Sequence, residues 1–330
     1  MLLDVFKGDA FGWTHLTTTV SKVPYQPTRI GKLGWFTEKP VNTLSVAVEM
    51  ENGVLTLVQS KPRGAPGAPK TLQRRNIRDF RTVHLPQTVS MLADEIQGLR
   101  AFGSMTETET AMARIAQKMA IPRRDLDLTH EYQRLGCVKG VVLDADGSTI
   151  YNWFTEFGVS QQTQAFALST DGTKVLQVVL AAKRKSEDRL GGVMNTGWRS
   201  LCSPEFFDAF TSHPAVVESY ARYQQGAINR SDNRSGFEFG DVIWEEYRGS
   251  IGGTPMIAAN KAYMVPEGVP DFFETFFSPA DWMETVNTDG VPFYAKQEMM
   301  PFGRGIDIEV QSNPLHMCTR PEAIIELTAS

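Results

Sequence analysis

Five histidines, three cysteines and scattered carboxylates are the residues of this chain with chemistry to offer, and their spacing decides what they can do. His15, His84, His130, His213 and His316 each stand alone, and no His-Glu-x-x-His run places two imidazoles on one helical face for zinc. Cys137, Cys202 and Cys318 are odd in number and far apart, without a Cys-x-x-Cys pair. They read as reduced, buried thiols of a cytoplasmic protein. Asp144-Ala145-Asp146-Gly147 has the opening of a calcium loop, but the later oxygen ligands and the closing glutamate are missing, which leaves a turn. No GxGxxG follows a strand and no GxxxxGK[ST] is present, so nothing cradles a phosphate. A Gly-x-Ser-x-Gly elbow is also missing, and no serine or cysteine pairs with a histidine by spacing. The expectation is therefore no catalytic residue, no cofactor and no metal, with an enzyme kept only as a rival.

What does concentrate is positive charge. Residues 54–86 carry Lys61, Arg63, Lys70, Arg74, Arg75, Arg78 and Arg81 against Asp79 alone, a net of +6 in a chain whose total is −5. The rest of the chain therefore carries −11. Val54 to Gln59 is rich in β-formers and Asn76 to Leu85 reads as a second, weaker strand. Between them, half of the ten residues from Lys61 to Lys70 are Pro or Gly, which suits neither a helix nor a sheet interior. The simplest picture is a two-stranded ribbon with a flexible tip, reaching roughly 40–50 Å at about 3.3 Å per residue. An isolated ribbon is marginal in water, so another surface must cover it. A basic arm on an acidic body points to docking on a second copy of that body. A solvated basic loop and a nucleic-acid contact are the alternatives.

At 330 residues the chain can bury a sizeable core as one large or two intertwined domains. Its 42% hydrophobic and 22% charged content is that of a soluble globular protein, and no apolar run approaches a membrane span. Charge interrupts the first seven residues too early for a signal peptide. The elements that must position the ribbon mix helices and strands, an α+β class. Residues 1–43, with Pro24, Pro27, Pro40 and the Thr17-Thr18-Thr19 run, read as an extended arm with little core. Trp35-Phe36 either packs at home or anchors on a neighbour. Leu44, Val46, Val48 and Met50 alternate as a strand that turns at Asn52-Gly53.

Val89, Leu92, Ala93, Ile96 and Leu99 then space as one helical face closed by Gly103. A capping box from Ser104 to Glu107 opens a helix carrying Met112, Ile115, Ala116 and Met119, broken at Ile121-Pro122. A further helix over 124–139 groups Leu128, Tyr132 and Leu135. A hairpin joins Val141–Leu143 to residues 150–154. A helix over 173–189 turns Val175, Leu176, Val179 and Leu180 inward and stops at Gly191-Gly192. Residues 193–202 form a strand, Ser203-Pro204 caps a helix, and residues 215–224 form another. A strand spans 241–247, and Asp271 caps a short helix carrying Phe272, Phe273, Phe276 and Phe277, as core or as an intersubunit contact. Strands at 306–310 and 323–327 finish the chain.

Val291-Pro-Phe-Tyr-Ala-Lys-Gln-Glu298, Gly303-Arg-Gly305, Glu309-Val-Gln-Ser-Asn-Pro-Leu315 and Cys318-Thr-Arg-Pro321 resemble the C-terminal signature of the lambda-like phage major capsid protein E family. Pro266-Glu-Gly268, Phe277-Ser-Pro-Ala-Asp281, Glu284-Thr-Val-Asn-Thr288, Gln97-Gly-Leu-Arg-Ala-Phe-Gly103 and Leu135-Gly-Cys-Val-Lys-Gly140 fit the same pattern in order. The resemblance covers nearly the whole chain, weakest before Leu44. It implies the Hong Kong 97-like capsid fold, with an N-terminal arm (1–43), a long hairpin or E-loop with its flanking strands (44–86), a peripheral domain with a spine helix (87–159 and 291–320) and an axial domain (160–290 and 321–330).

The function it implies is that of a structural shell protein of a tailed phage, forming hexamers and pentamers of itself around DNA, in the virion after assembly in the host bacterial cytoplasm. The implied partners are a separate scaffold, a head maturation protease, the portal, a decoration protein and non-specific contact with packaged DNA, with no membrane. A scaffold separate from this chain is expected because only 43 residues precede the first hairpin. The seven ribbon cations become candidates for intersubunit contact. A capsid-surface or tail accessory protein is the nearer rival.

Overall fold

The computed structural model of the chain describes residues 12–23, 28–50, 76–96, 107–223 and 236–330. The chain divides into two compact units, one of residues 1–48, 77–131 and 274–316 and the other of residues 49–76, 132–273 and 317–330. The expected strand at 54–59, the Asn52-Gly53 turn, Leu99, Gly103 and Ser104 of the capping box lie outside the described residues.

In the first unit, Gly305–Ser312 is the middle strand of a three-stranded antiparallel sheet, flanked by Leu85–Leu92 and Tyr294–Met299. Met91, Ala295, Ile306, Ile308 and Val310 form one buried face. The strand Leu85–Leu92 replaces the helix expected from the spacing of Val89, Leu92, Ala93 and Ile96; only Ala93–Ile96 is helical. Its pairing partner lies over 200 residues downstream, with Val89 opposite Ile308, and no local periodicity registers that. Pro86 is tolerated because this strand is an edge of the sheet. Gly305 has no freedom to vary, since a Cβ there would sit 2.3 Å from the Met91 carbonyl oxygen of the neighbouring strand.

Onto this face packs a helix, Trp13–Lys22, where extended chain was expected. Leu16 and Val20 bury fully in the core. The threonines that lowered its helical expectation bond backwards instead: Thr18 Oγ1 donates to the Thr14 carbonyl and Thr19 Oγ1 to the His15 carbonyl, each at 2.8 Å. Thr17 Oγ1 accepts the Ala295 amide at 3.2 Å, fastening helix to sheet.

The helix Glu107–Lys139 runs unbroken through Pro122, contrary to the break expected there. A proline inside a helix costs about 3 kcal/mol. Burial of Ile115 and Met119 before it and Leu126 after it, in one core, offsets that. Leu128 is exposed, because the inward face here is polar. Arg123 lies over the Phe293 ring and pairs with buried Asp127 at 3.3 Å. Glu131 accepts the Ile30 and Gly31 amides at 2.8 and 3.3 Å, capping the short helix Arg29–Leu33. Phe273–Phe277 is a strand, not the expected helix, placed between Phe36–Pro40 and Pro314–Cys318. All five of its residues are buried, and such a run has no period to betray it.

The second unit holds a six-stranded mixed sheet ordered Gln162–Ala165, Ile325–Thr328, Lys261–Glu267, Gly197–Cys202, Val242–Glu246, Phe237–Phe239. Ser203 caps the helix Pro204–Ser212 by accepting the Phe206 amide at 3.3 Å, with Pro204 in its first turn. Phe206 and Phe210 enter an aromatic cluster with Phe166 and Trp244, the Phe210 and Trp244 rings stacking at 4.1 Å. The helix Val175–Leu190 ends at left-handed Gly191 as expected, but its buried stripe is Val175, Val179, Ala182, Ser186 and Leu190. Leu176 and Leu180, expected inward, are exposed. Small residues set this choice, for buried Ser186 donates to the Ala323 carbonyl. The opposite sheet face carries partly buried ion pairs. Arg199 bridges Glu245 at 3.1 Å and Glu267 at 2.7 Å, and Glu326 accepts from Lys261 at 2.7 Å.

Cys137, Cys202 and Cys318 are free thiols, all buried. Burial pushes the thiols of Cys137 and Cys202 up to about 12, and that of Cys318 well above its ordinary range. The thiolate is the reactive form. At pH 8 the native protein should therefore resist an aromatic disulfide reagent over an hour, and release three equivalents of chromophore once denatured. Rapid labelling of the native chain would contradict this.

Candidate functional site at the root of the basic ribbon

Of the seven ribbon cations, Lys61, Arg63, Lys70, Arg74 and Arg75 lie outside the described residues. Arg78 and Arg81 stand exposed on the strand Asn76–Arg81, which pairs with Ser45–Met50 as a two-stranded sheet. Phe80 and Val46 are buried in it. Alternation along the strand puts Arg78 on the face of Phe80 and Arg81 on the opposite face with Asp79, so basic side chains flank the ribbon on both faces.

Below this pair the ribbon is fixed by a polar root. The Thr82 amide donates to the Leu44 carbonyl at 3.1 Å and the Val83 amide to the Pro314 carbonyl at 2.8 Å. Thr82 Oγ1 meets Ser278 Oγ at 2.8 Å. His84 Nδ1 lies 2.7 Å from Asn313 Oδ1, and Asn313 Nδ2 donates to the Pro279 carbonyl at 2.9 Å. The amide orientation that satisfies Pro279 makes Oδ1 the acceptor, so His84 carries its proton on Nδ1. The Asn313 carbonyl also takes the Ser278 amide at 3.0 Å. One buried side chain thus ties the ribbon's exit to two segments over 190 residues away in sequence.

A second polar layer supports the first. His130 lies between the Phe293 ring at 5.2 Å and the Phe277 ring at 6.0 Å. Ser312 Oγ donates to the Pro292 carbonyl at 2.6 Å and meets His130 Nε2 at 3.0 Å, so that nitrogen is the donor. Thr275 Oγ1 meets His316 Nδ1 at 2.8 Å. Gly290 closes the root: its amide donates to the Val41 carbonyl at 2.9 Å, and a Cβ there would lie 1.9 Å from the Phe277 carbonyl oxygen.

The root brings together His84, His130 and His316, but as packing and hydrogen-bonding groups. Among the described residues no cluster of three or more His, Cys, Asp or Glu could hold a metal ion. Among the same residues no helix is long and apolar enough to cross a membrane. The turn at Asp144–Gly147 is a turn: the Ser148 amide bonds to Asp146 Oδ1 at 2.8 Å and Gly147 takes a φ of +84°. Sequence reasoning passed over Asn313, Thr82, Ser278 and Gly290. The only sign of them was that Asn313 and Ser278 fall inside the quoted signature stretches.

The family model described as phage major capsid protein E matches residues 12–329. The major capsid protein of Pseudomonas phage KPP10 is 31% identical over 339 residues, covering 96% of each chain. That of Salmonella phage Felix O1 is 24% identical over 355 residues, covering 97% of this chain and 96% of the relative. Among solved structures, the putative capsid protein of a prophage of E. coli CFT073 superposes with a TM-score of 0.54 at 10% identity, covering 97% of this chain and 99% of that one. A phage-related protein of Bordetella bronchiseptica RB50 gives 0.54 at 15% identity, covering 95% of each.

Replacing Asn313 with Ala removes the carboxamide and strands the buried Pro279 carbonyl, while the exposed His84 ring can turn to water. An unsatisfied buried group costs roughly 1–3 kcal/mol. The variant should lose about 1–3 kcal/mol, read as a lower urea midpoint of the soluble subunit at unchanged slope. A midpoint within error of the parent would remove Asn313 from this role.

Proposed function

The chain belongs to the phage major capsid protein E family, and on that premise we propose that copies of it close into the icosahedral shell of a tailed bacteriophage around its DNA. The observation that carries this is that the family match runs through both compact units, from residue 12 to residue 329. The mixed helix-and-sheet architecture is the Hong Kong 97-like capsid fold. A major capsid protein is a structural component of the virion, and we assign no catalytic residue to this one.

Within that fold we read residues 1–43 as the N-terminal arm and 44–86 as the E-loop with its flanking hairpin. The peripheral domain takes 87–159 and 291–320, with the helix Glu107–Lys139 as its spine, and the axial domain takes 160–290 and 321–330. The mechanism is heterologous self-association, in which one surface meets a different surface of the next copy, closing rings of six or five. The ribbon supplies one such contact, with Lys61, Arg63, Lys70, Arg74, Arg75, Arg78 and Arg81 meeting an acidic neighbour. Assembly takes place in the bacterial cytoplasm, with a scaffold, a maturation protease, a portal and a decoration protein as partners. Contact with packaged DNA is weak and indifferent to sequence, as a net charge of −5 offers few phosphate partners.

Exposed ion pairs are worth about 0–1 kcal/mol each, but every copy gives and receives a ribbon, so small terms recur throughout a shell. Arg74→Glu with Arg75→Glu should abolish sedimenting shells, scored by electron microscopy of protein co-expressed with the neighbouring phage head proteins. Circular dichroism of the soluble variant should match the parent. Shells at parental yield and salt resistance would remove the ribbon's charge from assembly, and a parent that stays small under the same conditions would return the accessory-protein reading.

A further inference from the structure

The loop 281–291 combines three features found together in no other segment considered above. It carries Asp281, Glu284 and Asp289 with no basic residue. It exposes large apolar side chains: Met283 is 88% exposed and Val286 59%, with Val291 exposed beside them. Nevertheless it is tightly held. Buried Thr285 donates to the Ala280 carbonyl at 2.7 Å, and Thr288 Oγ1 to the Thr285 carbonyl at 2.7 Å. Trp282 packs edge-on to Tyr294 at 5.9 Å with Lys296 over its ring at 5.6 Å. At its far end the Val291 amide bonds to the Tyr294 hydroxyl at 3.0 Å, and Gly290 is clamped against the Phe277 carbonyl. The exposure of Met283 and Val286 is thus built in, not a fraying of the loop.

The charges are not all spoken for. Glu284 pairs with Lys296 at 2.7 Å, and that hydrogen bond holds its carboxyl below the usual range. Asp281 and Asp289 are exposed and have no ion-pair partner among the described residues. A rigid platform that is acidic and apolar complements a segment that is basic and apolar, and the segment 54–86 is the one with a net +6, together with Val54, Leu55, Leu57 and Val58.

We propose that the loop 281–291 is the receptor for the ribbon segment 54–86 of a second copy of the chain, with Asp281 and Asp289 meeting its arginines and Met283 and Val286 meeting its apolar residues. This rests on the capsid reading and names the surface that reading leaves open. A preformed loop suits the task, because little ordering is lost when the partner lands.

The test is a charge swap. Asp281→Lys with Asp289→Lys should leave the circular dichroism spectrum of the soluble subunit unchanged and cut shell yield at least tenfold. Adding Arg74→Glu and Arg75→Glu to the same chain should restore yield to within about threefold of the parent. Mixing the loop-reversed and ribbon-reversed chains should also yield mixed rings of six that neither makes alone, because in an alternating ring each meets its complement on the other. Parental yield from the loop-reversed chain overturns the proposal while leaving the capsid reading intact, as does a four-site variant no better than either parent pair. If the four-site chain is rescued and the mixture forms no mixed rings of six, the ribbon docks on its own chain and the second copy is ruled out. Should the lysine pair misfold, Asp281→Asn with Asp289→Asn serves instead: it should weaken shells selectively as salt is raised, and unchanged salt resistance would also overturn the proposal.

Discussion

A carboxamide buried away from water must satisfy its donors and its acceptor together or destabilise whatever surrounds it. Asn313 meets that demand by joining His84 at the ribbon's exit to the Pro279 carbonyl. Everything the ribbon can do depends on that junction, since an arm transmits force and register only if its base is fixed. Hydrophobic burial alone would hold the base in place without setting its direction. Hydrogen bonds from Thr82, Val83 and Asn313 are directional, and they set the angle at which Asn76–Arg81 leaves the unit.

The two units reach stability by different means. The first relies on one apolar sheet face covered by Leu16, Val20, Ile115, Met119 and Leu126, backed by a buried polar stripe at Arg123, Asp127, His130 and Glu131. The second packs an aromatic cluster on one face of its six-stranded sheet and ion pairs on the other. Removing one partner from the buried set in the first unit would leave an uncompensated ion, which is more damaging than losing a methyl group; the partly exposed pairs of the second unit can fall back on water.

Much of the fold could be read locally. The cap at Ser203-Pro204, the stop at Gly191, the alternation at 306–310 and the turn at Asp144–Gly147 are each decided by residues within one turn of one another. The misreadings share a cause, which is a partner distant in sequence. Leu85–Leu92 became a strand because Gly305–Ser312 lies beside it, and Phe273–Phe277 because strands pair on both of its edges. Trp13–Lys22 became a helix because the sheet face needed cover. Leu128 turned outward because the inward positions are charged and matched by groups from other segments. The candidate site was half legible. The ribbon's charge was plain from composition, but its root was not, because a lone Asn, Thr or Ser carries no periodicity.

The parts of the root are widely separated along the chain: Val41, then 82–84, then 277–279, and finally Gly290 and 311–314. Translation delivers them in that order, so the ribbon is synthesised long before the residues that orient it. A chain still on the ribosome, lacking the stretch from Gly290 onward, has a basic segment but lacks Asn313, the side chain that fixes its base. Contacts of such long sequence separation also form late in folding. On the capsid reading proposed above, competence to join a neighbour then arrives only with the last forty residues.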